Sequence, residues 1–186
     1  KIAYHLVASV NPAHSLTCQY VFKLIIGLEH KWLDHSGPPK YITRNRLVYN
    51  HLSKLVELVE EGVRETEENF VVALKNNALY PKLTCIAALL NEVEIGELYS
   101  MRSEWTDLTQ RIVNASIEAC RAVSTIVCNL NPETIGHLPM DLKPIDVDTL
   151  SKKLDVSLKI SDEQLQMITS QMLLISGWKT IKECSL

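Results

Sequence analysis

SQMLLISGWKTIKECSL, residues 170–186, is the stretch whose reading decides the fold. On a helical projection Met172, Ile175 and Lys179 fall along one stripe, and Leu174, Trp178 and Ile181 along the next. A helix that is apolar over most of its circumference belongs inside a stack of helices, with neighbours on both sides. Lys179 and Glu183 stand four residues apart and are spaced to pair, in the weaker Lys-before-Glu order.

Working back from that stretch, the remainder of the chain has the same grammar. Ser161-Asp162-Glu163-Gln164 is a capping box: the Ser161 hydroxyl is placed to accept from the N–H of Gln164. The final helix is therefore predicted to begin there. Residues 129–159 lose helical periodicity and hold Pro132, Pro139 and Pro144; at most Thr149 to Leu154 forms a helical turn. Before them, Trp105, Leu108, Ile112, Ala115, Ala119, Val123 and Ile126 form the stripe of a helix predicted from about Met101 to Cys128. Tyr80-Pro81 opens a shorter helix that buries Cys85, Ala88 and Leu89 and ends before Gly96.

A longer helix starts near Ile42 to Asn45 and buries Val48, Leu52, Leu55, Val59 and Val63. Phe70, Val71 and Leu74 continue it to a stop at Asn76-Asn77, as one helix or as two joined near Thr66 to Asn69. Gly62 inside it costs roughly 1 kcal/mol relative to alanine. Its glutamates (Glu57, Glu60, Glu61, Glu65, Glu67 and Glu68) read as a solvated face, with a docking strip for a basic partner as the sharper alternative. Asn11 caps a helix with Pro12 in its first turn, along which Leu16, Tyr20, Leu24, Leu28 and Trp32 step by four until Ser36-Gly37-Pro38-Pro39. Residues 1–10 read as the tail of a helix begun elsewhere, and the chain as a segment of something longer.

Composition agrees with an all-α chain of 186 residues. Hydrophobic residues make up 46%, glycines number only 6, and the net charge of -3 is the wrong sign for a domain that grips phosphate by itself. Cys18, Cys85, Cys120, Cys128 and Cys184 are widely spaced with no C-x-x-C, which favours reduced, buried thiols in a cytoplasmic or nuclear setting. No apolar run approaches the ~18 residues of a membrane span.

No catalytic motif stands out. There is no G-x-S-x-G elbow, no P-loop, no dinucleotide fingerprint and no zinc spacing, so neither an intrinsic enzyme nor a resident cofactor or metal is expected. His5, His14, His30, His35, His51 and His137 are scattered and read as packing or surface residues. Asp141, Asp146 and Asp148 share one stretch but lack the glycine and terminal glutamate of a calcium loop.

The pattern Trp178, Lys179, Lys182, Glu183 and Ser185 after an apolar helix resembles the opening of the conserved domain in the THADA family. Gly177 and Lys179 stand where many members carry Cys and Arg, and the family's Arg-Arg-Ser-Ala-Gly-Leu-Pro segment is not in this chain. SVNPAHSLTCQYVFKLI, Tyr80-Pro81 and Leu138-Pro139-Met140-Asp141 are similar to family segments more loosely. The resemblance implies an irregular HEAT- or armadillo-like array of antiparallel helices, non-catalytic and cytoplasmic. It also implies a partner: a tRNA ribose 2′-O-methyltransferase acting on the first nucleotide of the anticodon loop, with tRNA reached through that complex and neighbouring repeats of the same parent alongside. The expected organisation is an array over 1–128, a connection over 129–160 and the start of the conserved domain over 161–186.

Trp178, Lys179, Lys182 and Glu183 are the candidate partner- or RNA-binding residues, since Trp anchors interfaces and Lys contacts phosphate. The plainer alternative packs Trp178 in the stack and lets the lysines reach water or pair with Glu183. A protein-interaction scaffold unrelated to RNA is the alternative function.

Overall fold

The computed structural model describes residues 2–9, 11–35, 44–129 and 170–185. Among them the chain is all-α, as expected, with no strand. Its elements are α1 (Ile2–Leu6), α2 (Pro12–His35), α3 (Arg44–Asn77), α4 (Leu79–Leu90), a 3-10 helix (Ile95–Met101), α5 (Arg102–Asn129) and α6 (Ser170–Cys184). The capping box at Ser161, the turn at Thr149 to Leu154 and the Asp141, Asp146 and Asp148 stretch lie outside the described residues. So do the side chains of Trp32, Ile126, Cys128, Met172 and Leu174.

The short, very apolar α4 is the helix on which the others lean. Leu79, Tyr80, Leu83, Cys85, Ile86 and Leu89 are all buried, and α4 packs against α2, α3 and α6. Each such aliphatic side chain taken out of water contributes roughly 1.5–3 kcal/mol. The predicted stripe of α3 (Val48, Leu52, Leu55, Val59 and Val63) is buried throughout. Of the two alternatives for α3, the structure takes the broken one: Asn69 leaves the helical region, with φ -158° and ψ 93°. Its side chain explains why the helix restarts at once. Val72 N–H donates to Asn69 Oδ1 at 3.2 Å, so Asn69 caps the second segment.

Between α3 and α4 stands a single residue, Ala78. Helix ends leave carbonyls without partners, and here a lysine supplies the donors. Lys82 is fully buried, and its Nζ donates to the carbonyls of Asn77 at 2.8 Å and Ala78 at 3.1 Å. Gly62 makes room for this. A Cβ on residue 62 would sit 2.9 Å from Leu79 Cδ2 and 3.0 Å from Lys82 Nζ. The glycine read as a tolerated cost therefore gives the buried ends of Leu79 and Lys82 their room in this corner.

Helix α2 departs from its simplest reading. Its cap is as expected, with Ala13 N–H donating to Asn11 Oδ1 at 3.0 Å. Yet the stripe that steps by four points outward: Leu16, Tyr20, Leu24 and Leu28 are 61%, 68%, 64% and 65% exposed. The buried face is the second four-step row, Cys18, Phe22 and Ile26. The aromatic cluster beneath selects that row. Phe22 meets Tyr4 edge-on at 5.2 Å and His51 at 5.6 Å. Tyr4 Oη, His51 and Glu29 then form a hydrogen-bonded chain, with contacts of 2.9 and 3.2 Å, that ties α1, α3 and α2 together. His51 is thus a packing histidine, as expected.

Helix α5 buries Trp105, Leu108, Ala115, Ala119, Val123 and Val127, while Ile112 is half-buried. Two polar clamps tie α5 and the segment that leads into it to α3. Asn45 is buried and exchanges two hydrogen bonds with the backbone of Glu94, at 2.7 and 2.8 Å. Arg111 makes a two-pronged contact with Glu60, so one member of the acidic run of α3 bridges elements, while Glu57, Glu61, Glu67 and Glu68 face solvent.

Candidate functional site

Helix α6 lies against α5 and α4 and buries an unexpected face. The side turned inward is Leu173, Ser176, Gly177 and Thr180. These are mostly small residues, and Thr180 is satisfied locally: its hydroxyl donates to the Ser176 carbonyl at 2.8 Å. Gly177 sets the approach to α5, since a Cβ there would stand 2.5 Å from Val127 Cγ2. Two larger apolar residues are turned out. Ile175 is 42% exposed and Trp178 57% exposed. The expectation that α6 is covered on both sides is corrected by this arrangement, because small residues win the tight α5 contact and Trp178 is left facing solvent.

The four candidate residues do not form one cluster. Residues 175, 178, 182 and 185 fall within one helical face, so Trp178 and Lys182 share the outward surface with Ile175 and Ser185. Lys179 turns inward. Its Nζ sits 5.0 Å from the centroid of the buried Tyr80 ring, a cation–π contact between α6 and α4. Burial pushes the Tyr80 hydroxyl up to about 12, which keeps the ring neutral beneath the ammonium. Among the described residues no ion pair joins Lys179 to Glu183.

Glu183 instead forms part of the wall of a groove of about 520 Å³ between α4, α5 and α6. Leu83 and Ile86 of α4, Ile112 and Ile117 of α5, and Ile181 make its apolar lining. Cys120 and Cys184 border the same groove as free thiols. Burial pushes the Cys184 thiol up to about 12, so at neutral pH it is protonated and a weak nucleophile. Cys18 and Cys85 are free and buried. Among the described residues no group of three or more His, Cys, Asp or Glu side chains is placed to hold a metal ion. No helix among them is long and apolar enough to cross a membrane.

Sequence reasoning missed the groove and the open face of α2. Only the second of these had a signal, since Cys18, Phe22 and Ile26 form a competing row with the same spacing.

A family model described as THADA/TRM732, DUF2428 matches residues 107–186, from the first turns of α5 through α6. The chicken protein named tRNA (32-2'-O)-methyltransferase regulator THADA is 23% identical over 99% of the chain. The Drosophila melanogaster protein of that name is 28% identical over 97% of the chain, and the human one 23% over 99%. The chain is similar to THADA-family proteins along nearly its whole length, at 23–28% identity in these three. The relatives are named as regulators, not as methyltransferases. The chain spans 12% of the length of the chicken and human relatives and 10% of the fly one. The family match opens at Asp107, upstream of the 161 boundary drawn from the tryptophan motif. No solved structure matches the chain.

Proposed function

We propose that this chain is a non-catalytic scaffold segment of a THADA-like protein that assists a separate tRNA ribose 2′-O-methyltransferase. The substrate position is the first nucleotide of the anticodon loop. In this reading the helices form part of a HEAT- or armadillo-like array in the cytoplasm, and Trp178 and Lys182 contribute to the surface that meets the enzyme or its tRNA. Such a subunit acts by orienting: it holds the anticodon stem-loop against the catalytic subunit and lowers the entropic part of the barrier.

The observation that carries the reading is the outward turn of Trp178, 57% exposed beside an exposed Lys182, within the stretch matched by the family. A large exposed indole flanked by a cation is the usual anchor of a partner surface. Its test uses the intact polypeptide. Trp178→Ala with Lys182→Glu is expected to reduce co-purification of the methyltransferase or methylation of the anticodon-loop ribose, with the fold intact. Unchanged methylation and unchanged recovery of the enzyme would remove these residues from the site.

A second reading, a protein-interaction scaffold unrelated to RNA, draws on the exposed Glu57, Glu61, Glu67 and Glu68 of α3, which repel phosphate and suit a basic protein. Loss of the whole parent with no change in anticodon-loop ribose methylation would favour it.

A further inference from the structure

The outward face of α2 is an exposed apolar surface that the proposed function does not use. Leu16, Tyr20, Leu24 and Leu28 make a ridge about 18 Å long at 1.5 Å per residue, and each is more than 60% exposed. The same face carries Ala13, Thr17 and Gly27, with Lys31 as its one charge, near the C-terminal end. At Gly27 a Cβ would meet nothing within 4 Å, so the ridge has a gap beside Leu24 and Leu28. Ridges with such gaps are what helices interdigitate with. The opposite face of α2 is already committed to the core through Cys18, Phe22 and Ile26.

We infer that this ridge is the docking surface for another helix of the same, longer polypeptide, one bearing aliphatic residues at four-residue spacing and few charges. Two observations favour that occupant over a second copy of the chain. Four exposed side chains on one helix make a small patch against the ~800 Å² per partner that a stable dimer of separate molecules needs. A helix tethered by the backbone pays far less to dock, because its effective concentration is high. In addition, the relatives devote only about a tenth of their length to the matched region, 12% in the chicken protein, so covalently linked sequence is abundant there. The scarcity of charge on the face argues for permanent cover, since surfaces that are bared part of the time carry polar residues. This inference rests on the reading of the chain as part of a helical array, and it stands whether or not a methyltransferase is the partner of that array.

The test is photo-crosslinking in the intact polypeptide, with p-benzoylphenylalanine in place of Tyr20. The expected result is a crosslink to a peptide of the same molecule outside residues 1–186. Mixed isotope-labelled and unlabelled copies separate crosslinks within one molecule from crosslinks between two. A crosslink to a second copy, to a different protein or to a peptide within residues 1–186 overturns the inference. Leu24→Cys gives a second readout. Its alkylation, followed on that peptide, is expected to be at least about tenfold slower in the native polypeptide than after denaturation. Equal rates overturn the inference as well. Failure of the methyltransferase to co-purify leaves both readouts unchanged.

Discussion

Lys82 reaches back five residues to donate from Nζ to the carbonyl of Asn77 at 2.8 Å, inside a corner where its side chain has no exposure to water. Burial pulls this ammonium down to about 7, with Glu65 and Glu61 opposing the shift. Because the folded value lies below the ordinary lysine value of 10.5, the unfolded chain binds the extra proton between about pH 7 and 10.5. Stability contributed at this site therefore rises with pH through that window and is least below it. Lys82→Met is expected to remove the dependence: the stability difference between wild type and variant should change in the wild type's favour by up to ~1.4 kcal/mol per pH unit. Urea unfolding of both proteins at pH 7, 8 and 9 checks it, and parallel curves would refute the assignment.

The same corner reverses the usual effect of replacing a helical glycine. Helix propensity alone predicts that Gly62→Ala stabilises by roughly 1 kcal/mol. Here the new methyl meets Leu79 and the Lys82 ammonium. We expect a net loss of about 1–3 kcal/mol, in the range of overpacked cores. A raised midpoint in thermal unfolding would show that the corner yields more easily than its contacts indicate.

Gly177 and Val127 should behave as a coupled pair. Gly177→Ala forces its methyl against Val127 Cγ2 and is expected to cost about 1–3 kcal/mol. With Val127→Ala in the background, much of that cost should vanish, giving a coupling energy in the range of 0.5–3 kcal/mol. Additive losses in a double-mutant cycle would mean that the two helices part instead of repacking. If the pair is coupled, family members with cysteine at this position, as the sequence resemblance implies, are expected to carry a smaller neighbour opposite it.

The two motif lysines should separate in their effects. Lys179→Ala removes the contact over Tyr80 and is expected to cost about 0.5–2 kcal/mol of stability. Lys182→Glu, on the exposed face, should stay within about 0.5 kcal/mol of wild type. Chemical denaturation of each single variant decides this. A joint charge reversal of both lysines confuses loss of fold with loss of a partner, which is why Lys182 and Trp178 are the informative positions.

Much of this architecture was legible from spacing. The α3 stripe from Val48 to Val63 and the cap at Asn11 follow from local chemistry that neighbours do not override, whereas spacing left the break near Asn69 as one of two alternatives. The orientation of α2 did not follow, because Leu16–Leu28 and Cys18–Ile26 are both valid rows and only Tyr4 and His51, distant in sequence, choose between them. The inward turn of Lys179 was hidden for the same reason: its alternative partner, Tyr80, lies on another helix. At α6 the pattern of large apolar residues misled, since a close helix contact is built from Ser176, Gly177 and Thr180 and not from bulk. The groove beside Glu183 needs three helices in place before it exists, and no single stretch encodes it.

The one-residue joint at Ala78 has a mechanical consequence. With Lys82 tying off the carbonyls on one side and Gly62 seated beneath, neither the length nor the pitch of that bend has slack to absorb change. An inserted residue there would have to unmake a buried bond. Any bending among the described helices is therefore expected at other joints, with the end of α3 and the start of α4 moving as one rigid bracket.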